Sequence, residues 1–428
     1  MDTVDTVRKV WCRKVWDSRG RPTVEVEITA ASGAFGRAIA PSGASTGSGE
    51  TLERRDGGQR LGGYDVMSAV AVANSAVAAA LVGGPLDQQA IDNALTALNP
   101  RRDDPVVGGN VMVATSFAAA HAIAASRDVP LWQSFARDAP DGGAPWLPLP
   151  EIQIFGGGAH AEGSIDIQDV LLVAPGARSF GEAIEWTNEV YLAAGADGRG
   201  RGVADEGGWW PNFGSNEEAV TALIRAIERA GLRAPGDVAI ALDLAATQFY
   251  EHGKYALRSE GRILDRDRWI ELIAGWCRDH PIVAVEDPLH EDDVDGHRAL
   301  RAVLGSGVLV VGDDLLVTDP ARVDDRAGAA DALLMKPNQA GTLTTAREAT
   351  ERARGQGMRV IASARSGETE DVTLAHLAVG WRADLVKVGS VTRGERTAKW
   401  NELLRIEEHV TEFAGSAALP ASPDRGGR

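Results

Sequence analysis

Six short apolar runs in the second half of the chain each carry, at or next to their last position, a polar side chain suited to catalysis. The runs VAIALD, PIVAVE, VLVVGD, DALLMK, RVIAS and DLVKV place these side chains at Asp243, Glu286, Asp313, Lys336, Ser363 and Lys387. A single aspartate at the end of an apolar run is more often a helix cap or a turn residue than a ligand. Five charged ends favour a shared pocket, because burying each of them unpaired would be costly.

The residue types in this set indicate a particular chemistry. Asp243, Glu286 and Asp313 offer hard oxygen ligands with no histidine or cysteine beside them, which suits Mg²⁺ better than Zn²⁺. Two lysines beside a metal ion suggest that one has a lowered pKa and acts as a base, while the other stays charged and holds an anion. This combination fits removal of a proton next to a carboxylate, because the resulting ene-diolate needs cations to stabilise it.

The elements that must position these residues follow from the spacing of the runs. Their ends lie roughly 23 to 43 residues apart, with helical patterns between them. This is the βα spacing of a parallel barrel, whose buried strands are continuous apolar runs. The carboxyl ends of such strands converge on one mouth, which would bring the charged ends together.

The first part of the chain has a different pattern. TVEVEI (23–28) alternates like a strand, APSGASTGSGE (40–50) is a flexible loop, and helical spacing recurs at 67–82 and 110–126. A stretch rich in Pro, Gly and Asp then marks a boundary. We expect an α+β domain over 1–137, a barrel over 138–413 and a disordered tail over 414–428.

Composition excludes several classes of function. A net charge of −17 argues against a nucleic-acid-binding surface. No apolar run is long enough to span a membrane, and the first residues do not resemble an export signal. Two cysteines, Cys12 and Cys277, are too few for a disulfide scaffold. We therefore expect a cytoplasmic enzyme that binds neither nucleic acid nor membrane.

A series of motifs resembles enolase (phosphopyruvate hydratase) in order and spacing, from about residue 10 to 410. The motifs are WDSRGRPTVEVEI, APSGASTGSGETLERRDGG, GGGAHAEGSIDIQD, VADEGGWWPNF, ALDLAATQFY, VEDPLHEDD, VGDDLLVTDP, MKPNQAGTLT, SARSGETED and KWNELLRIEE. A Lys base with one or two Mg²⁺ ions is the known arrangement of that superfamily. The resemblance implies an N-terminal α+β domain capping an enolase-type (β/α)8 barrel. It also implies a homodimer or higher oligomer, and reversible loss of water from an anionic 2-phosphoglycerate-like acid.

The resemblance also implies a set of metal ligands. Asp243, Glu286 and Asp313 resemble the ligands of a first Mg²⁺ ion. Ser45, in the loop SGASTG, resembles the ligand of a second Mg²⁺ ion that bridges to the substrate. Two Mg²⁺ ions per site are therefore expected.

Roles for the remaining residues come from the same motifs. Lys336 resembles the base that takes the C2 proton, and Glu206 the acid that protonates the departing C3 hydroxyl. Lys387 resembles the lysine that binds the substrate carboxylate, and Arg365 with Ser366 resembles the phosphate clamp.

Two further residues fall in matching motifs. His160 lies in a loop that resembles the one closing over the substrate, and Gln168 resembles a residue near the bound carboxylate.

The sequence departs from enolases at four positions. Ala364 stands where enolases carry histidine, and Asp169 stands where they carry glutamate next to the acid and the departing water. Trp210 replaces a small residue beside the DEGG motif, and Arg21 replaces an asparagine. The lysines, the acid and the metal carboxylates all remain, which disfavours an inactive enolase.

These departures leave three hypotheses for function. A methyl group in place of an imidazole at Ala364 opens space near the phosphorus, so the substrate would carry an altered phosphorus group. Carboxyphosphonoenolpyruvate synthases, which dehydrate 2-phosphonoformyl glycerate in phosphonate biosynthesis, do such work. The alternatives are an ordinary enolase acting on 2-phosphoglycerate and a non-catalytic binding protein on the same scaffold.

Overall fold

Alternating apolar side chains between residues 7 and 39 build the first sheet. The computed structural model describes residues 5–44, 46–137, 139, 143–161, 163–196 and 200–420. The first strands pair antiparallel in the order β1, β2, β3, with bounds Val7–Trp16, Pro22–Ala30 and Phe35–Ile39. Cys12 and Val26 face each other on the buried side of this sheet, whereas Trp11 on the other side is exposed.

Helices cover the buried side of this sheet. Their bounds are Met67–Val72 (α1), Ala78–Leu81 (α2), Gln88–Leu98 (α3), Gly109–Ser126 (α4) and Leu131–Arg137 (α5). A π-helical turn, Ala73–Val77, joins α1 to α2. Small apolar residues let α4 pack closely against β2 and β3 and be buried on almost every face.

The second part of the chain forms a closed barrel of eight strands. The strands that follow β3 are, in chain order, Leu149–Gly156 (β4), Asp169–Val173 (β5), Gly200–Val203 (β6), Trp209–Pro211 (β7), Ala239–Asp243 (β8), Tyr250–Glu251 (β9), Lys254–Leu257 (β10), Arg262–Leu264 (β11), Ile282–Glu286 (β12), Leu309–Gly312 (β13), Ala332–Met335 (β14), Arg359–Ser363 (β15) and Leu385–Gly389 (β16). The barrel consists of β4, β5, β8 and β12 to β16, and pairing of β16 with β4 closes it. The predicted barrel fold is confirmed.

Helices surround the barrel. They are Phe180–Gly195 (α6), Asn216–Arg229 (α7), Arg266–Asp279 (α8), Val294–Leu304 (α9), Pro320–Asp325 (α10), Pro337–Ala340 (α11), Leu343–Gly355 (α12), Thr373–Gly380 (α13) and Gly394–Glu407 (α14). Several begin at a side-chain cap: Ser179 accepts a backbone N–H at the start of α6, and Thr342 does so for α12. None of the helices in the described residues is long and apolar enough to cross a membrane.

One strand of the barrel runs against the others. The six predicted runs form the parallel strands β8 and β12 to β16, but β5 is antiparallel to both β4 and β8. The parallel pattern therefore does not extend to the start of the barrel. The connection between β4 and β5 contains one 3-10 turn and, in its described residues, no α-helix to carry the chain back across the barrel, so the chain reverses as a hairpin.

The segment after residue 413 is ordered through Pro420. A 3-10 turn spans Gly415–Ala418, and Ala418 and Leu419 are buried in the apolar cluster that fills the barrel interior. The expectation of a disordered tail from residue 414 is therefore wrong for 414–420, because Ala418 and Leu419 are buried against the apolar residues of the barrel interior. Residues 421–428 lie outside the described part of the chain.

Candidate functional site

The carboxyl ends of the parallel strands meet at one mouth, and the strand register sets their polar residues side by side. Asp243 pairs with Glu286 across β8 and β12, and Ser363 pairs with Lys387 across β15 and β16. Because β5 is reversed, its first residue, Asp169, lies opposite Asp243 at the same level. The topology itself therefore gathers these charged groups.

A narrow cavity at this mouth contains most of the predicted site residues. It is lined by Ala44, His160, Gln168, Asp169, Glu206, Asp243, Lys336, Ser363, Ala364, Arg365, Ser366, Lys387 and Val388. Glu286 and Asp313 are not part of the lining but bind its two lysines. Ser45, predicted to hold a second Mg²⁺ ion, lies outside the described residues.

The two lysines pair with the three predicted metal ligands. The Nζ atom of Lys387 lies 2.7 Å from Oδ2 of Asp243 and 2.6 Å from Oε2 of Glu286. The Nζ atom of Lys336 lies 2.5 Å from Oδ2 of Asp313. The three carboxylates are buried, and burying them without these lysine partners would cost free energy of folding.

These pairs determine the pKa of each lysine. Burial is the largest influence on the pKa of Lys336 and lowers it, but the carboxylates of Asp313 and Glu286 act against burial, and the pKa is raised. Asp243 and Glu286 likewise raise the pKa of Lys387 against the effect of burial. Both lysines therefore have a raised pKa while they are paired with these carboxylates. The lowered pKa expected for one lysine beside a metal ion stays a prediction.

Acidic groups at the mouth can hold a metal ion. Two groups in the described part of the chain bring three possible ligand atoms within 4.8 Å of one another: Asp287, Asp313 and Asp314, and His160, Asp169 and Glu206. Asp243, Glu286 and Asp313 are not such a group, and the ammonium of Lys387 bridges the first two. Burial, with Asp243 adding to it, raises the pKa of Glu286 well above its usual value. A divalent cation would relieve this crowding of charge, and the all-oxygen donor set fits a hard cation.

His160 lies between two carboxyl groups in the cavity. Its Nδ1 atom lies 3.1 Å from Oδ1 of Asp169, and its Nε2 atom lies 3.7 Å from Oε1 of Glu206. Burial alone would lower the pKa of His160, but Asp169 and Glu206 outweigh burial and raise it to about 9. Burial also raises the pKa of Glu206, although His160 opposes this. Asp169 thus reaches His160 despite its short side chain, and Glu206 is suited to donate a proton.

The predicted phosphorus-binding corner follows β15. The guanidinium of Arg365 makes a paired contact with Glu50, with Nη1–Oε2 at 3.0 Å and Nη2–Oε1 at 3.1 Å. The buried Arg396 donates to the backbone carbonyls of Arg365 and Ser366 and fixes this turn. Ala364, next to Arg365, presents only a methyl group to the cavity.

Gln168 connects the cavity to the predicted metal ligands. Its Nε2 atom donates to Oδ2 of Asp243 at 3.0 Å, and its Oε1 atom accepts from Gln248 at 2.6 Å. The donor from Gln248 fixes the orientation of the Gln168 carboxamide.

Two of the four departures from enolases lie away from the cavity. The guanidinium of Arg21 lies 4.1 Å from the ring centroid of Tyr64, and Trp210 is a half-buried residue of β7. Neither residue is part of the lining. Ala364 and Asp169 are the two departures inside it.

Sequence reasoning missed three buried polar residues that hold the site together: Glu50, Gln153 and Gln339. Gln339 donates from Nε2 to Oδ1 of Asp313 at 2.9 Å and to Oε1 of Glu50 at 3.3 Å. The sequence feature that could have identified Gln339 is its place in the motif MKPNQ, three residues after Lys336. The signal for Gln153 was a polar residue inside the apolar strand PEIQIF. Glu50 had no local signal, because its partner Arg365 is 315 residues away.

Two family models match the chain. The model described as "Enolase, N-terminal domain" matches residues 7–135. The model described as "Enolase, C-terminal TIM barrel domain" matches residues 144–420. Together they cover both the small antiparallel sheet domain and the barrel.

Proposed function

The chain belongs to the enolase family, a family of lyases, and we propose that it removes water from a small acid with a phosphorus group on C2. The observation that best supports this is the convergence of Lys336, Lys387, Glu206 and Arg365 on one cavity at the barrel mouth. A base, an acid and two anion-binding cations are the groups that such a dehydration needs.

Lys336 is the proposed base. Lys336 lines the cavity, and its Nζ atom would accept the C2 proton while the electron pair of that C–H bond moves into the carboxylate. Mg²⁺ held by Asp243, Glu286 and Asp313, with a second ion at Ser45, would supply positive charge to the developing ene-diolate. Lys336 must be neutral to act, so its ion pair with Asp313 has to weaken when the site is loaded.

Glu206 is the proposed acid. The bond between C3 and its hydroxyl group breaks, the hydroxyl group takes a proton from Glu206, and water leaves. The electron pair of the ene-diolate forms the C2–C3 double bond as the bond between C3 and oxygen breaks, so no positive charge is left on C3. His160 and Asp169 keep Glu206 at the cavity and would help to orient the departing water.

Lys387, Arg365 and Ser366 are the proposed substrate-binding residues. The ammonium of Lys387 would bind the substrate carboxylate, while Arg365 and Ser366 would bind the phosphorus group. Gln168, which is bonded to Asp243, would lie beside the bound carboxylate.

We further propose that the phosphorus group is modified, as in 2-phosphonoformyl glycerate, which would give carboxyphosphonoenolpyruvate. The methyl group of Ala364, which lines the cavity next to Arg365 where the resemblance to enolases implies a histidine, supports this choice. Ordinary dehydration of 2-phosphoglycerate is the second candidate, and the match to the enolase models favours it.

The direct test compares the two substrates with the purified protein and Mg²⁺. We expect an enol product from both, with a larger kcat/KM for 2-phosphonoformyl glycerate. Ordinary enolase efficiency with 2-phosphoglycerate and no turnover of the analogue would reject the modified substrate. No enol product and no C2 proton exchange with either would reject the lyase and favour a binding protein.

A further inference from the structure

Gln153 is a fully buried residue of β4 whose carboxamide touches three parts of the candidate site. Its Nε2 atom donates to Oδ1 of Asp169 at 2.5 Å and lies 3.5 Å from Nδ1 of His160. Its Oε1 atom accepts the backbone N–H of Gly208 at 2.8 Å. One side chain therefore joins β4, β5 and the loop that carries Glu206.

The direction of this carboxamide is fixed by its partners. The N–H of Gly208 is a donor, so the oxygen of Gln153 must face it. The nitrogen then faces the carboxylate of Asp169, which only accepts. In a reversed carboxamide, the NH₂ group of Gln153 would face the N–H of Gly208, and its oxygen would face the carboxylate of Asp169.

The space around this side chain is filled. A Cβ atom at Gly208 would lie 2.5 Å from Oε1 of Gln153, and one at Gly156 would lie 3.3 Å from its Nε2 atom. The loop backbone can approach the carboxamide only because residue 208 is glycine. A glutamine fits this distance, whereas an asparagine is one methylene too short to reach both partners.

We propose that Gln153 is a positioning residue for dehydration and that its length is matched to the short side chain of Asp169. The contacts run from Gln153 to Asp169, from Asp169 to His160 and from His160 to Glu206. Gly208 ties the same carboxamide to the backbone two residues after Glu206. This proposal rests on the proposed role of Glu206 as the acid.

The length match has a consequence for residue 169. By the resemblance, enolases carry a glutamate where this chain has Asp169, and the structure shows Nε2 of Gln153 already at 2.5 Å from the shorter aspartate. A glutamate would collide with Gln153 or displace His160. Shortening Gln153 at the same time would restore the space.

The test is a double-mutant cycle of Gln153→Asn and Asp169→Glu, assayed with the better of the two substrates. We expect each single variant to lower kcat for dehydration by about 10- to 100-fold, with KM changed little, because the acid is misplaced. C2 proton exchange, which depends on Lys336, should stay within a few-fold of wild type. The double variant should recover at least half of the lost kcat on a logarithmic scale.

Gln88→Asn is the matched control, because Gln88 is a carboxamide that is bonded to the buried Asp92 and is not part of the cavity lining. It should leave kcat unchanged. Wild-type kcat in Gln153→Asn, equal losses of exchange and dehydration, or additive losses in the double variant would each overturn the proposal. Absence of both reactions in the wild type would instead reject the lyase itself, so the two failures are distinguishable.

Discussion

The two ends of the barrel differ in cavity volume and in charge, and the end with the smaller cavity carries more charged residues. The opposite end, closed by the segment 413–420, leaves a cavity of about 1200 Å³, whereas the cavity at the mouth leaves about 20 Å³. In the described part of the chain, the lining of the large cavity contains no carboxylate and no lysine. Of its two arginines, Arg359 donates to the carbonyls of Ala417 and Leu419, and Arg178 is largely exposed. We therefore assign the candidate site by its convergent, paired charges and not by the volume of the cavity.

The largest difference between the two ends is expected when the proposed base at the mouth is removed. We expect Lys336→Ala to lower kcat by about 10⁴-fold and to abolish C2 proton exchange, because this lysine is the proposed acceptor of the C2 proton. Exchange is measured by loss of deuterium from C2. Arg178→Ala, at the large cavity, is the control and should match wild type. Persistent exchange in Lys336→Ala would show that another group is the base.

The second test removes a binding group at the mouth. Arg365→Ala should raise KM about 100-fold, because it removes the buried guanidinium that is proposed to bind the phosphorus group. Steady-state kinetics measures this. Glu50→Gln, which keeps the side-chain shape, should have a smaller effect. An unchanged KM in Arg365→Ala would remove this residue from the substrate site.

A substitution at the opposite end of the barrel should change the stability of the protein and leave its activity unchanged. Leu419→Ala should lower the free energy of unfolding by about 2 to 3 kcal/mol, because it empties part of the barrel interior. Urea unfolding measures the loss, and kcat should be unchanged. Leu192→Ala is the exposed control. A drop in kcat without a loss of stability would mean that the two ends are coupled.

The substrate preference should respond at Ala364. Ala364→His should shift the ratio of kcat/KM values about 10-fold toward 2-phosphoglycerate, because the imidazole fills space and adds a donor. Competition between the two substrates measures the ratio, and Ala364→Ser is the small control. A ratio equal to wild type would remove Ala364 from the specificity argument.

The smallest effect is expected from pH. The folded-state pKa of His160, about 9, is above the unfolded value of about 6.5, so its contribution is complete below pH 6.5 and is lost as pH rises toward 9. The free energy of unfolding should therefore fall across this range in the protein without substrate. His160→Gln should flatten the decline in urea unfolding curves. An equal decline in both proteins would assign it to other groups.

Much of the barrel was predictable because its strands are continuous apolar runs with a charged end. That pattern alone located Asp243 and Glu286 at the ends of their strands, and Asp313 and Lys336 one residue after theirs. Lys387 lies within β16, two residues before its end. The reversed strand β5 was not predictable in this way, because an apolar run carries no sign of its direction.

The electrostatic pairing was harder to predict than the position of the residues. One lysine was expected to have a lowered pKa beside a metal ion, and the contact of Lys336 with Asp313 raises its pKa while the two are paired. Glu50 and Gln153 were missed because their partners are distant in sequence or belong to another strand. Such pairs form only when the side-chain atoms come within hydrogen-bonding distance in the folded protein, and the spacing of residues in the sequence does not predict that distance.

The reversed strand also changes where the barrel can accept new sequence. Since β4 ends and β5 begins at the mouth, the loop between them borders the site at both of its ends and contributes His160 and Gln168. The two helices α6 and α7 then follow without a barrel strand between them, and the segment joining them delivers Glu206. Insertions or loop grafts at these two connections would reshape the rim that meets the substrate while leaving the paired strands intact.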